Sequence, residues 1–320
     1  MNGQDSRPST AARICPELME AIQAYPPILY DMESLLAQRE GGKLLKTHPE
    51  YLPTDPQVKI YNKEIQITGN DHLTVRIYEP VERQGLCGGL LWLHGGGMAL
   101  GLPESDDGQN IRFVKESGCV VVSPDYRLAP ENPYPTPLDD CYNTLVWFSE
   151  HAKELGVDPQ RIAVAGSSGG GGLTVAVTLR ARDQDGPHIA FIMALTPMIN
   201  RALDTQSAMM NFDDPRTLNR EGAKQLWGYY LGDKEETDIY MEPIKDDFHG
   251  FPPVYIAAGE IDPFRDDAIC LAQKLMAQNV STELHIYPGV FHAAESLAPA
   301  AAISIYEVSE YVRVLKEHLA

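Results

Sequence analysis

The first chemical signal in this sequence is a serine flanked by glycines where an apolar run meets a helical one. Residues 161–165 read as a short buried strand, Gly166-Ser167-Ser168-Gly169-Gly170 follows, and residues 168–182 carry helical spacing. A strand-to-helix turn this sharp holds its serine in a strained backbone conformation with Oγ exposed, and the helix N-terminus behind it favours developing negative charge. Gly166 and Gly170 stand where a Cβ would meet neighbouring backbone. Ser168 is therefore the candidate nucleophile. A phosphate-binding loop would need a Gly-Lys-Ser/Thr ending or dinucleotide spacing, and the sequence has neither. The run of glycine at 169–172 would cost a helix about 1 kcal/mol per residue relative to alanine, which marks a place of close approach.

An attacked carbonyl needs donors for its oxygen. The apolar run at 86–93 ends in His94-Gly95-Gly96-Gly97. Glycines there can turn backbone N–H groups inward and leave room for a substrate. Gly95, Gly96 and Gly97, with the N–H of Gly169, form the candidate oxyanion hole. His94 is expected to hold the loop.

The base should be a late histidine at a strand end. His292 follows the strand expected at 282–287, whereas His285 lies within it and His151, His188, His249 and His318 lie on helices or polar loops. The acid should follow the preceding strand, expected at 254–258. Glu260 and Asp262 compete there. Asp262 is preferred because it ends the loop just before Pro263, while Asp266 and Asp267 are expected to cap the next helix.

These groups need a scaffold. Further strands are expected at 58–67, 72–78, 119–123 and 189–195, and helices at 16–24, 28–39, 138–155, 267–278 and 301–318. Short buried strands alternating with helices imply a mainly parallel sheet, whose ligands bind at the carboxyl ends of the strands. Residues 1–55 contain no strand the sheet needs, and residues 200–250 show none either. Both are expected to form a helical cap over a catalytic domain spanning 56–320. Leu18, Ile22 and Tyr25, then Ile28, Met32 and Leu35, would face Leu226, Trp227 and Tyr230 across that lid.

Composition narrows the partners. Of 320 residues, 43% are hydrophobic, which fits a globular chain, and the net charge of -19 repels nucleic acid and anionic lipid. No apolar run reaches bilayer length, and the N-terminus lacks a secretory pattern, so a cytoplasmic protein without membrane association is expected. Five cysteines, an odd number without a CxxC, argue against a disulfide framework and a zinc site. Neither a cofactor nor a metal is expected. The expected partners are a small-molecule ester and, at most, a second copy of the chain.

Five motifs occur in order: His94-Gly95-Gly96-Gly97, YRLAPE at 126–131, the Gly-x-Ser-x-Gly at Ser168, DPFRD at 262–266 and YPGVFH ending at His292. In this the chain resembles the hormone-sensitive-lipase-like esterases of the α/β-hydrolase superfamily, from about residue 90 to the C-terminus. The resemblance implies an α/β-hydrolase fold with a helical cap and the triad order Ser168, Asp262, His292. It implies oxyanion donors on Gly96, Gly97 and Gly169, with Gly95 shaping the loop. It also implies that Arg127 and Glu131 anchor the loop beside the site. Ser167 replaces a frequent acidic residue, Gly169 a usual alanine, and Ala293-Ala294 a common Gly-Phe, so the acyl pocket departs from the family pattern. The expected activity is hydrolysis of short- to medium-chain carboxylic esters. An amidase or arylformamidase would use the same triad. A ligand receptor on this fold, like the plant gibberellin receptors, would lack the histidine present here as His292.

Overall fold

Eight strands form one sheet in the computed structural model, which describes residues 13–68, 71–210 and 216–319. In chain order they are β1 (Val58–Gln66), β2 (His72–Pro80), β3 (Cys87–Leu93), β4 (Val120–Pro124), β5 (Val157–Ser167), β6 (Phe191–Leu195), β7 (Val254–Ile261) and β8 (Thr282–Phe291). Their spatial order is β1-β2-β4-β3-β5-β6-β7-β8. β1 with β2 and β2 with β4 pair antiparallel, and every pair from β4 to β8 is parallel. This is the α/β-hydrolase fold, with helices on both faces.

Alternation along the central strands divides the core. Leu91, Leu93, Ile162, Val164, Ile256 and Ala258 face one apolar layer, and Leu90, Trp92, Ala163, Ala165, Tyr255 and Ala257 face the other. Both faces being buried is why these strands read as apolar runs rather than alternating ones. The helices are α1 (Pro16–Ile22), α2 (Met32–Thr47), α3 (Asp107–Ser117), α4 (Thr136–Glu150), α5 (Gly169–Asp183), α6 (Gln206–Met209), α7 (Arg220–Leu231), α8 (Arg265–Ala277), α9 (Ala294–Leu297) and α10 (Ala302–Leu319). Side chains of α4, α5, α7 and α8 fill the first layer, and those of α1, α3 and α10 the second.

The structure corrects three expectations. The apolar face of α1 does not join a lid: Leu18 and Ile22 are buried in the core layer shared with α10. Met32, expected on a buried face, is exposed, while Leu35 of the same helix is fully buried. Asp266 and Asp267 do not cap α8. They lie in its first turn and reach back to the stretch after β6, Asp266 accepting from the Ser207 N–H at 2.7 Å and Asp267 from Asn200 Nδ2 at 2.9 Å. α3 was not expected at all. Only Ile111, Phe113 and Val114 of its core-facing residues are apolar, while Asp107 and Asn110 are buried polar.

Residues 1–12 of the expected N-terminal cap and residues 211–215 of the expected insertion lie outside the described residues. Within the rest, Tyr30 meets α7. Tyr229 Oη donates to the Tyr30 carbonyl at 2.8 Å, and a Cβ on Gly222 would fall 2.5 Å from the Tyr30 ring. No helix among the described residues is long and apolar enough to cross a membrane.

Candidate active site

Ser168 joins β5 to α5. Its backbone sits at φ 58°, ψ −117°, a conformation non-glycine residues adopt only under constraint. The end of β6 and the segment that follows it supply that constraint. The Ser168 N–H donates to the Leu195 carbonyl at 2.9 Å, and the Ser168 carbonyl accepts from the Met198 N–H at 3.1 Å. Glycine at 170 follows from the same crowding, because a Cβ there would lie 1.9 Å from the Leu93 carbonyl oxygen.

Three expected residues converge on one line. His292 Nε2 lies 2.8 Å from Ser168 Oγ, and His292 Nδ1 lies 2.8 Å from Asp262 Oδ2. β8 delivers the histidine and β7 the carboxylate, so parallel neighbours set their separation. Asp262 is buried, and its other oxygen accepts the Phe264 N–H at 2.8 Å. Burial works against a charged imidazole, but the charge and hydrogen bond of Asp262, joined by the charge of Glu295, together outweigh it, and the His292 pKa is raised above its ordinary 6.5.

Glu260, the competing acid, points elsewhere. It accepts the Gly289 N–H at 2.9 Å and pairs with Arg13, which hold its pKa below the usual carboxylate value. The structure thus brings Asp262 and not Glu260 to His292. Glu260 instead ties β8, two residues before its end, to the N-terminal segment.

The glycine loop lies against the serine. Gly96, Gly97 and Met98 all have positive φ, at 110°, 61° and 56°. A Cβ on Gly169 would fall 2.7 Å from the Gly97 nitrogen and 2.8 Å from Met98 Sδ, so the two backbones meet directly. That proximity leaves little room for a side chain at 169. Gly95 faces Ser168, with an added Cβ 3.7 Å from the serine Cβ. His94 is buried away from the hydrogen-bonded line. Its Nδ1 lies 2.9 Å from the Gly95 carbonyl and its ring stacks on Tyr126, whose hydroxyl donates to the His94 carbonyl. Burial lowers its pKa to about 4, so it stays neutral.

The YRLAPE segment is anchored at both ends. Arg127 forks onto Asp140 at 3.0 and 2.7 Å, and Glu131 is paired with Arg39 of α2. Leu226 of α7 packs on the loop from above: a Cβ on Gly97 would lie 2.6 Å from Leu226 Cδ1. Sequence reasoning missed the contacts Arg39 and Leu226 make here. Their partners stand far off in sequence, and the only available signal was the need of Glu131 for a cation. Among the described residues, Glu283, His285 and Glu310 form one histidine–carboxylate group, but Arg313 already pairs with both carboxylates.

A largely parallel sheet carrying a serine on its strand-to-helix turn, with a histidine and an acid from later strands, defines an α/β hydrolase. The chain belongs to the family whose model, described as alpha/beta hydrolase fold, matches residues 90–296, and within it to the hormone-sensitive-lipase-like esterases. It is similar to carboxylesterase NlhH of Mycobacterium tuberculosis, 36% identical over 304 residues that cover 92% of this chain and 94% of that protein. It is similar to an acetyl esterase of Salmonella paratyphi B, 31% identical over 227 residues covering 69% of each. Among solved structures, a bacterial heroin esterase superposes with a TM-score of 0.91 at 34% identity, covering 98% of this chain and 100% of that one. The protein is a carboxylic-ester hydrolase.

Proposed function

We propose that the protein hydrolyses short- to medium-chain carboxylic esters through an acyl-enzyme on Ser168. His292 Nε2 takes the Ser168 proton as Oγ bonds to the ester carbonyl carbon. The carbonyl oxygen becomes an oxyanion, held by the N–H groups of Gly97, Gly169 and Gly96 beside a turn shaped by Gly95. The tetrahedral centre collapses, and His292 gives its proton to the departing alcohol. Water then repeats the attack, with His292 as base again, and releases the acid and free Ser168. Asp262 fixes the ring with its Nδ1 protonated and stabilises the imidazolium that forms twice per turnover. The observation that carries this reading is the hydrogen-bonded line Asp262–His292–Ser168, each link 2.8 Å long.

The acyl range rests on the apolar wall that Leu226 places against Gly97 and on the acetyl esterase among the similar proteins. Residues 26–55 and the insertion at about 200–250 act on this reading as the lid over the acyl pocket. Its support is the packing of Tyr30 on α7.

A fluorophosphonate should label Ser168 alone, and Ser168→Ala should lose about 10⁴-fold or more in kcat while remaining folded. Dissolved nitrophenyl esters from acetate to octanoate should turn over faster than emulsified long-chain triglyceride. A label on Ser167 would overturn the nucleophile, and a preference for the emulsion would overturn the substrate range.

A further inference from the structure

We infer that Arg39 of α2 is a positioning residue for the oxyanion hole, acting on the Gly97 N–H through two intervening peptide groups. This inference rests on the proposed reading of Ser168 and its loop. The connection can be followed atom by atom. Arg39 Nε donates to the Ala99 carbonyl at 2.8 Å. The same peptide unit carries the Leu100 N–H, which donates to the Gly96 carbonyl at 2.9 Å. The Gly96 peptide unit in turn carries the Gly97 N–H, the group that faces Gly169. In a trans peptide the C=O and the following N–H point in opposite directions. Pulling on the Ala99 oxygen from behind therefore orients Leu100 N–H, which orients the Gly96 oxygen, which aims Gly97 N–H at the reacting centre.

The same chain carries charge. Hydrogen bonds in series polarise one another, and a guanidinium at the far end makes the terminal N–H a better donor to an anion. The guanidinium itself is fixed on its remaining sides. Nη1 reaches both Glu131 oxygens at 2.8 and 2.7 Å, and Nη2 donates to the Ala129 carbonyl. The Ala129 N–H donates to the Met98 carbonyl at 2.9 Å, so a second peptide of the turn is held from the same side. The Arg39 side chain is only 13% exposed. A plain staple between helix and domain could be made with any two surface atoms. Here one acceptor is the Ala99 carbonyl, in the turn that presents the oxyanion donors, and another, the Ala129 carbonyl, belongs to the residue whose N–H holds the Met98 carbonyl of that turn.

The test uses Arg39→Met, which keeps the packing stem without donors, and Arg39→Lys, which keeps the charge without the fork. The probe is a trifluoromethyl ketone. Ser168 Oγ bonds to its carbonyl carbon, the oxygen becomes the oxyanion and His292 retains the proton. Arg39→Met should lower kcat about 10- to 100-fold with KM changed only a few-fold, and should weaken the ketone by the same factor as kcat/KM. Binding of the product carboxylate should change little, and Arg39→Lys should recover part of the loss. Should Arg39→Met fail to fold, Glu131→Gln loosens the guanidinium without removing it and should give a smaller loss of the same pattern. A lower melting temperature with unchanged kcat and ketone affinity would overturn the inference and leave a staple. A wild-type protein that the ketone does not inhibit would instead count against the Ser168 reading itself.

Discussion

Asp262 and Glu260 show what a single residue's surroundings decide. They stand two apart, so strand alternation alone gives both the same face, and the sequence can only prefer one. β7 ends at Ile261, leaving Asp262 free to turn toward His292 while Glu260 is taken up by Gly289 and Arg13. On the proposed mechanism, Asp262→Asn should cost about 10⁴-fold in kcat because His292 is left in the wrong tautomer, and Glu260→Gln less than tenfold. The reverse ranking in steady-state assays would remove Asp262 from its role. The pH profile follows from the same charge. His292 must be neutral to act as base, and its pKa is raised above 6.5 because Asp262, joined by Glu295, outweighs burial. The acid limb of kcat/KM should therefore fall above pH 6.5 in the wild type. In Asp262→Asn burial is opposed only by the more weakly acting Glu295, and the limb should move to lower pH. A wild-type limb near pH 5 would contradict this balance.

At the level of elements, legibility followed burial. β3, β5, β6 and β7 announce themselves because both of their faces are covered. α3 hides because its buried face includes Asp107 and Asn110, with Asp107 bonded to Arg76 at 2.7 Å, so apolar periodicity fails there. The two helices expected from residues 1–55 look alike in sequence and have different destinations, α1 to the core and α2 to the rim of the site. No local pattern distinguishes burial against a sheet from burial against a loop. α7 carries a prediction of its own. Leu226→Ala opens space above Gly97, and the ratio of octanoate to acetate kcat/KM should rise about tenfold, the scale of methylene discrimination in an apolar pocket. The substitution should also cost about 2–5 kcal/mol of stability, as deletion of a buried leucine does. An unchanged ratio with only the stability loss would mean that α7 covers core rather than substrate.

For the whole molecule, charge matters in two ways. A net charge of -19 keeps the surface acidic, as composition alone conveys. Composition conveys nothing of the carboxyl groups held inside. Glu307 on α10 is 3% exposed, one of its oxygens has no partner among the described residues, and burial pushes its pKa up to about 9. Between its ordinary 4.5 and about 9 the folded chain keeps a proton that the unfolded chain releases. Unfolding then liberates protons, so stability should fall as pH rises through that window. Glu307→Gln removes the ionisation at nearly constant volume. Its melting temperature should exceed the wild type's at pH 8, with the difference shrinking toward pH 5. Parallel melting curves for the two proteins across that range would exclude Glu307 as a source of alkaline sensitivity.

The crowding around Ser168 bears on how such an enzyme can be changed. A side chain at 170 would sit 1.9 Å from the Leu93 carbonyl oxygen, and one at 169 would strike the Gly97 nitrogen. Every substitution of glycine at 170 adds at least a Cβ. Libraries randomised at 170 would consist almost wholly of inactive clones, however large the screen. Adaptive routes to new substrates are thereby diverted onto the flank formed by α7 and its neighbours, where Leu226 can be exchanged for a smaller side chain without forcing an added Cβ against backbone. Selection for a new acyl group would thus leave its record in residues 200–250, while the turn that carries Ser168 stays silent.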